Sequence, residues 1–206
     1  KDSMQGLIDS TGKMILPVNN KGIGEFAAGI ARVEKTAGIY GLVNAKGDWL
    51  LPADNNEVYS LYSNGGFYAK KDGKYTVYNN SMKVLIAADT AKRVITSKKN
   101  IAYVYDNAVK LYDVNGKFIK TINQENVDLF ATSFYSNDDS LKVTYSKTIT
   151  LYNIPAKKHQ KIALDDISDF NEEGIFVGKK SYKHTFYDYT GKRLTDKSFE
   201  SVVNFS

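Results

Sequence analysis

The chain has 206 residues, 42% of them hydrophobic and 25% charged, and carries a formal net charge of +5. It contains no cysteine, which excludes disulfide bridges, thiol chemistry and thiolate metal sites. No apolar run approaches the ~18 residues that a membrane-crossing helix needs.

The chain starts at Lys1, with no initiator methionine and no signal-like stretch, and on that ground it reads as a processed product or a fragment. Residues 6–9 form a short apolar strand, followed by a polar turn and a second strand over Met14–Pro17. The same pattern returns most clearly in GLVNAKGDWLLP, residues 41–52. The strand after the turn has counterparts at Trp49–Pro52, Val84–Ile86 and Phe118–Ile119, and more polar ones at Lys158–Ile162 and Arg193–Phe199.

The turn opens on Asp9, Asn44, Asn79, Asp113, Asn153 and Asp188, and three residues later stand Gly12, Gly47, Met82, Gly116, Ala156 and Gly191. A recurring spacing of about 35 residues marks a repeat architecture. Asp and Asn bond their own backbone two residues on, and Gly accepts positive φ without a Cβ penalty. Met82 and Ala156 must therefore either strain the turn or use a different one.

Ahead of each turn, Leu7, Leu42, Val77, Leu111, Leu151 and Phe186 are followed by Ile8, Val43, Tyr78, Tyr112, Tyr152 and Tyr187. Adjacent strand residues face opposite sides, so this strand is predicted to be covered on both. One position earlier, Gly6, Gly41, Thr76, Lys110, Thr150 and Thr185 are mostly small, as a close approach would require.

Fourteen residues past the turn anchor, Phe26, Leu61, Phe130, Phe170 and Phe205 supply a large apolar residue. A further strand then follows at Ile30–Val33, Phe67–Lys70, Ile101–Tyr105, Leu141–Tyr145 and Ile175–Lys179. The prediction is an all-β chain of six antiparallel meander repeats with three or four strands each. It reads as one repeat domain over 1–206, or as an excerpt of a longer array. A propeller-like set of about six small blades protects its ends by closure; an open superhelical stack of three-stranded meanders is the alternative.

The segment F-x-x-G-I-A-R-V…G-I-Y-G-L-V-N-A-K-G-D-W-L-L-P, residues 26–52, resembles the WG-repeat family of bacterial proteins, and GLIDSTGKMILP at 6–17 is similar to the second part of that repeat. The likeness thins to a skeleton over 53–206. The family's Trp-Gly pair is replaced in every copy: Gln5-Gly6, Tyr40-Gly41, Tyr75-Thr76, Val109-Lys110, Ile149-Thr150 and His184-Thr185. The resemblance implies a binding or interaction array in a bacterial envelope or secreted protein, with no shared catalytic residue to carry over.

Chemistry-bearing residues are scattered. His159 and His184 lie in different repeats, and His184 fills the place of Tyr40 and Tyr75. The carboxylate pairs Asp138-Asp139, Asp165-Asp166 and Glu172-Glu173 are sequence neighbours, whereas acid–base pairs work across a cleft. Asn137–Asp139 lack the D-x-D-x-D-G series of a calcium loop. Arginines number three, Arg32, Arg93 and Arg193, and a cluster of them would suit a carboxylate substrate of the sialidase kind. Sialidase hairpins read D-x-G-x-x-W, however, and these turns read D/N-x-x-G. No phosphate-binding glycine loop is present. Tyr78, Tyr112, Tyr152 and Tyr187 sit at the core period, and Trp49 reads as packed.

Two surfaces remain as ligand candidates. Residues 70–99 hold eight basic residues against Asp72 and Asp89, among them Lys70, Lys71, Lys92, Arg93, Lys98 and Lys99, a band suited to an anionic cell-surface polymer or to plain solvation. The fourth repeat step is the longest, and its extra length is assigned to ATSFYSNDDS, residues 131–140, which include Asn137, Asp138 and Asp139. The expected function is a non-enzymatic binding or interaction module, extracytoplasmic, with protein or anionic polymer as partner. No cofactor, metal or specific nucleic acid is expected. A propeller-type glycan hydrolase and a structural spacer are the alternatives.

Overall fold

The computed structural model describes residues 3–61, 65–129, 131–135, 140–145, 148–168, 171, 173–188 and 190–202. Among them there is no helix, and no helix is long and apolar enough to cross a membrane. Strands β1 (Gln5–Ile8) and β2 (Met14–Asn20) pair with each other. Then β3 (Gly22–Ile23), β4 (Ile30–Thr36), β5 (Ile39–Asn44) and β6 (Trp49–Asn55) form a sheet in chain order. The third sheet is β7 (Glu57–Ser60), β8 (Phe67–Lys71), β9 (Lys74–Tyr78) and β10 (Val84–Asp89).

The fourth is β11 (Arg93–Thr96), β12 (Asn100–Val104), β13 (Ala108–Asp113) and β14 (Phe118–Asn123). The fifth is β15 (Ser133–Tyr135), β16 (Ser140–Tyr145), β17 (Thr148–Asn153) and β18 (Lys158–Ala163). The sixth is β19 (Asp166–Ile167), β20 (Ile175–Lys180) and β21 (Lys183–Asp188), with bridges from His184 to Phe199 and from Tyr187 to Arg193 beyond it. All pairings among the described residues are antiparallel, and the second to fifth sheets are four-stranded, blade-like meanders. The sheets divide between two compact units, Lys1–Thr90 and Ala91–Ser206.

The covered strand is β5 and its equivalents. Leu42 joins a core with Leu51, Val58, Phe67 and Ala69, whereas its neighbour Val43 joins another with Leu16, Ala31 and Val33. Leu151 and Tyr152 divide in the same way between two cores of the second unit. Both faces of the strand are therefore buried in sheet-to-sheet contacts within each unit. Ile8 departs from this: it is 66% exposed, on the face of β1 opposite the core that Leu7 joins.

The turn forms as its chemistry demands. Oδ1 of Asp9, Asn44, Asn79, Asp113 and Asp188 accepts from the backbone N–H groups two and four residues on, at 2.9–3.0 Å. Met82 takes the strained course, adopting φ 65° in the same turn. The fifth copy changes its turn instead: Asn153 pairs with Lys158, and the left-handed position passes to Lys157, at φ 54°. A further instance joins β19 to β20, where Asn171 accepts from Glu173 and Ile175 and Gly174 takes φ 77°.

Gly6 and Gly41 owe their size to a bulge. Tyr40 pairs with Asn55 but Leu42 with Leu51, so Pro52, Ala53 and Asp54 bow out opposite Gly41. A Cβ on Gly41 would lie 2.6 Å from the Leu51 carbonyl and from the Trp49 ring. Trp49 thus packs on Gly41 and keeps one side in solvent, at 39% exposure. The buried Asn20 and Asn55 hold the two bulges by donating to the carbonyls of Pro17 and Pro52.

Two further placements differ from the sequence reading. Phe26 is 42% exposed, in the irregular run before β4, and is no core anchor. Leu61 is buried as expected, while Phe130, Phe170 and Phe205 lie outside the described residues. The long fourth step is taken up mainly ahead of residues 131–140, in the connection 124–132, because Ser133–Tyr135 is a strand. Val127 is buried there, the Val127 N–H donates to the Asp106 carbonyl, and the Thr150 hydroxyl donates to Gln124. Asn137, Asp138 and Asp139 lie outside the described residues.

Candidate functional site

Three cations of the basic band pair with acids of the same chain. Lys70 pairs with Glu57 at 3.0 Å, Lys71 with Asp54, and Lys92 with Asp106 at 3.6 Å. The hydrogen bond to Glu57 raises the Lys70 pKa, and burial raises that of Tyr75, whose hydroxyl donates to the same carboxylate at 3.0 Å. Arg93 donates to the Leu129 carbonyl at 2.7 Å, and Lys98 and Lys99 are exposed beside the β11–β12 turn. Lys70 and Lys71 belong to the first unit and the other four cations to the second.

The remaining candidates serve local structure. Asp165 accepts from the Ser181 N–H and Asp166 from the Ile167 N–H. Glu173 donates its N–H to Asn171, and Glu172 lies outside the described residues. His159 is exposed on β18. His184 lines a cavity of about 270 Å³ with Asp166, Ser168 and Lys179, and its Nδ1 is buried without a hydrogen bond to the described residues. Arg193 donates to the Asp196 carbonyl at 2.9 Å. The tyrosines pack: Tyr78 stacks on Phe67 and Tyr187 on Phe176, each at 5.2 Å between ring centres, and Tyr152 is fully buried. Among the described residues no three His, Asp or Glu side chains cluster as metal ligands would.

A cleft of about 450 Å³ opens between the second and third sheets, inside the first unit. Ile30, Leu42, Val58, Leu61 and Phe67 line it with apolar surface. Gly24, Gly65 and Gly66 line it without side chains. Arg32 projects from β4 with its guanidinium carbon 4.9 Å from the Tyr40 ring centre and 5.7 Å from that of Tyr59. Its Nη1 donates to the Val58 carbonyl at 3.2 Å, on the neighbouring sheet. Two aromatic faces and a carbonyl hold the cation in place. Among the described residues no carboxylate neutralises it: Glu25 lines the same cleft without an ion pair to it.

The sequence marks Arg32 only as one of three arginines. Its partners Val58 and Tyr59 lie 26 and 27 residues away on another sheet, which no local motif marks.

Comparison with known proteins supports the repeat reading. Residues 6–36 and 40–75 match the WG containing repeat. These two WG-type repeats together span under half of the chain, and the cleft lies between strands of both. No curated protein matches the sequence. Among solved structures, one described as a crystal structure of the eukaryotic initiation factor superposes with a TM-score of 0.50 at 14% identity, covering 78% of this chain and 50% of its own. Another, KlHsv2 with loop 6CD replaced by a Gly-Ser linker, gives 0.50 at 9% identity, over 81% of this chain and 62% of its own. The chain thus spans less than two thirds of either solved chain, and the likeness concerns the fold alone.

Proposed function

We propose that the chain is a non-enzymatic binding module of an exported bacterial protein and that it binds through the cleft around Arg32. The observation that carries this reading is the cleft itself. A concave apolar surface with one fixed polar group is the usual form of a ligand site, and this one holds an arginine that the fold positions and leaves without a counter-ion among the described residues. The WG-type repeats flanking it support an interaction role, and a cysteine-free composition fits export.

The test is calorimetric titration with a panel of peptides, neutral and acidic oligosaccharides and heparin, against the native chain and a Ser60→Trp variant. Ser60 is exposed and lines the cleft, so an indole there is expected to fill it and to leave the core intact. At least one panel member is expected to bind, to lose about tenfold or more in affinity with Ser60→Trp, and to be recovered unchanged. Absence of any binder, indifference to Ser60→Trp, or conversion of the ligand would overturn the proposal.

A further inference from the structure

The chemistry of the cleft narrows what it takes. Resting on the reading that the cleft is the binding surface, we infer that its ligand is a peptide C-terminus: a main-chain carboxylate held by Arg32, with a branched aliphatic last side chain on the Leu42, Val58 and Leu61 surface.

Charge comes first. Arg32 uses Nη1 on the Val58 carbonyl, the one hydrogen bond its side chain makes to the described residues. The edge formed by Nε and Nη2 remains, and its two parallel donors match the two oxygens of a carboxylate. The described residues lining the cleft include one cation, Arg32, and one acid, Glu25. A single guanidinium balances a singly charged carboxylate. A phosphate or sulfate polymer would call for several cations, and Lys70, Lys71 and Lys21 of the same unit are paired with Glu57, Asp54 and Glu34.

Shape comes next. Sugars are recognised by open aromatic faces with a fan of polar side chains around them. Here the Tyr40 and Tyr59 rings both carry the Arg32 guanidinium, and the surface beneath is mainly aliphatic, with Ser60 as its one hydroxyl besides that of Tyr59 among the described residues. That surface suits a Leu, Ile or Val side chain. Gly24, Gly65 and Gly66 lack side chains and leave room for a peptide main chain to run out of the cleft. The volume of about 450 Å³ accommodates one or two residues.

The experiment uses the full chain and a labelled hexapeptide, Gly-Ser-Gly-Ala-Val-Leu, read by fluorescence anisotropy. The free acid is expected to bind about tenfold or more tightly than the C-terminal amide, the scale of a charge-assisted hydrogen-bonded pair. Arg32→Gln is expected to erase that preference, with circular dichroism confirming the native sheet content. Because the acid-to-amide comparison is made on the native chain, it stands even if the variant does not fold. Isocaproate, which carries the carboxylate and branched alkyl group without a peptide, is expected to compete at least tenfold more weakly.

Equal binding of acid and amide, a preference that survives in folded Arg32→Gln, or isocaproate competing as well as the peptide would each overturn the inference. If the peptide fails to bind while another panel member binds in a manner sensitive to Ser60→Trp, this inference falls and the binding module stands. If nothing binds at the cleft, both fall.

Discussion

The side-chain amide of Asn55 donates to the main-chain carbonyl of Pro52 at 2.8 Å, three residues before it, and to the Tyr40 carbonyl across the strand pair at 3.3 Å. Asn20 does the same with Pro17 and Gln5 in the preceding repeat. Both asparagines are buried, so they satisfy carbonyls that the bulge takes out of the ladder. Asn55→Ala is expected to cost about 1–3 kcal/mol, the penalty for leaving buried acceptors unpaired. Asn55→Asp is expected to cost more, because it sets a carboxylate against two carbonyls and the Asp54 side chain that now accepts from Asn55. Urea denaturation of both variants checks the order.

Two turn glycines separate conformation from space. Gly12 and Gly47 adopt φ 84° and 85°. A Cβ on Gly12 meets nothing within 4 Å, whereas one on Gly47 collides with the Ile15 carbonyl of the adjacent repeat. Gly12→Ala is therefore expected to cost about 1–2 kcal/mol, the left-handed penalty alone. Gly47→Ala is expected to cost clearly more, since backbone must move as well. Equal losses in denaturant midpoint would mean that these two neighbouring repeats do not meet as described.

Leu111 on β13 is fully buried in the main core of the second unit. Leu111→Ala is expected to lower stability by about 2–5 kcal/mol. A cost near zero would show that β13 is not covered on its Leu111 face.

Alkaline pH acts on the Glu57 cluster. Lys70 is raised above 10.5, chiefly by its hydrogen bond to Glu57, and Tyr75 above 10.0, chiefly by burial. Both groups have folded values above their unfolded ones. Their contribution is therefore fully present below about pH 10 and is lost as pH climbs through the raised values. The native chain is expected to lose melting temperature faster above pH 10 than Glu57→Gln does. Parallel pH profiles for the two proteins would contradict this.

The repeat was legible because five of its six copies keep the same Asx turn and all six keep the apolar pair, and that chemistry needs few residues. Leu42 and Val43 announced a strand covered on both faces, and the two cores confirm it. The edge strands β3 and β19 are two residues long and leave no periodic trace. Pro17-x-x-Asn20 and Pro52-x-x-Asn55 recur at the repeat period, so the bulge clamp was open to detection, but the asparagines read as polar loop. Phe26 shows that a shared period does not ensure shared burial, and Ser133–Tyr135 that a hydroxyl-rich stretch can be a strand. The cleft was out of reach because Arg32, Tyr40 and Tyr59 meet only once two sheets pack.

The most direct test of the binding reading is a titration followed by backbone amide chemical shifts, with the ligand panel added to the isotope-labelled full chain. The expected result is a set of perturbations centred on Arg32, Val58, Tyr59, Ser60 and Gly66, with the ligand's own resonances unchanged in identity. Perturbations confined to strands that do not line the cleft, such as β16–β18 of the second unit, or ligand signals converting to a product, would contradict a binding module that works through Arg32.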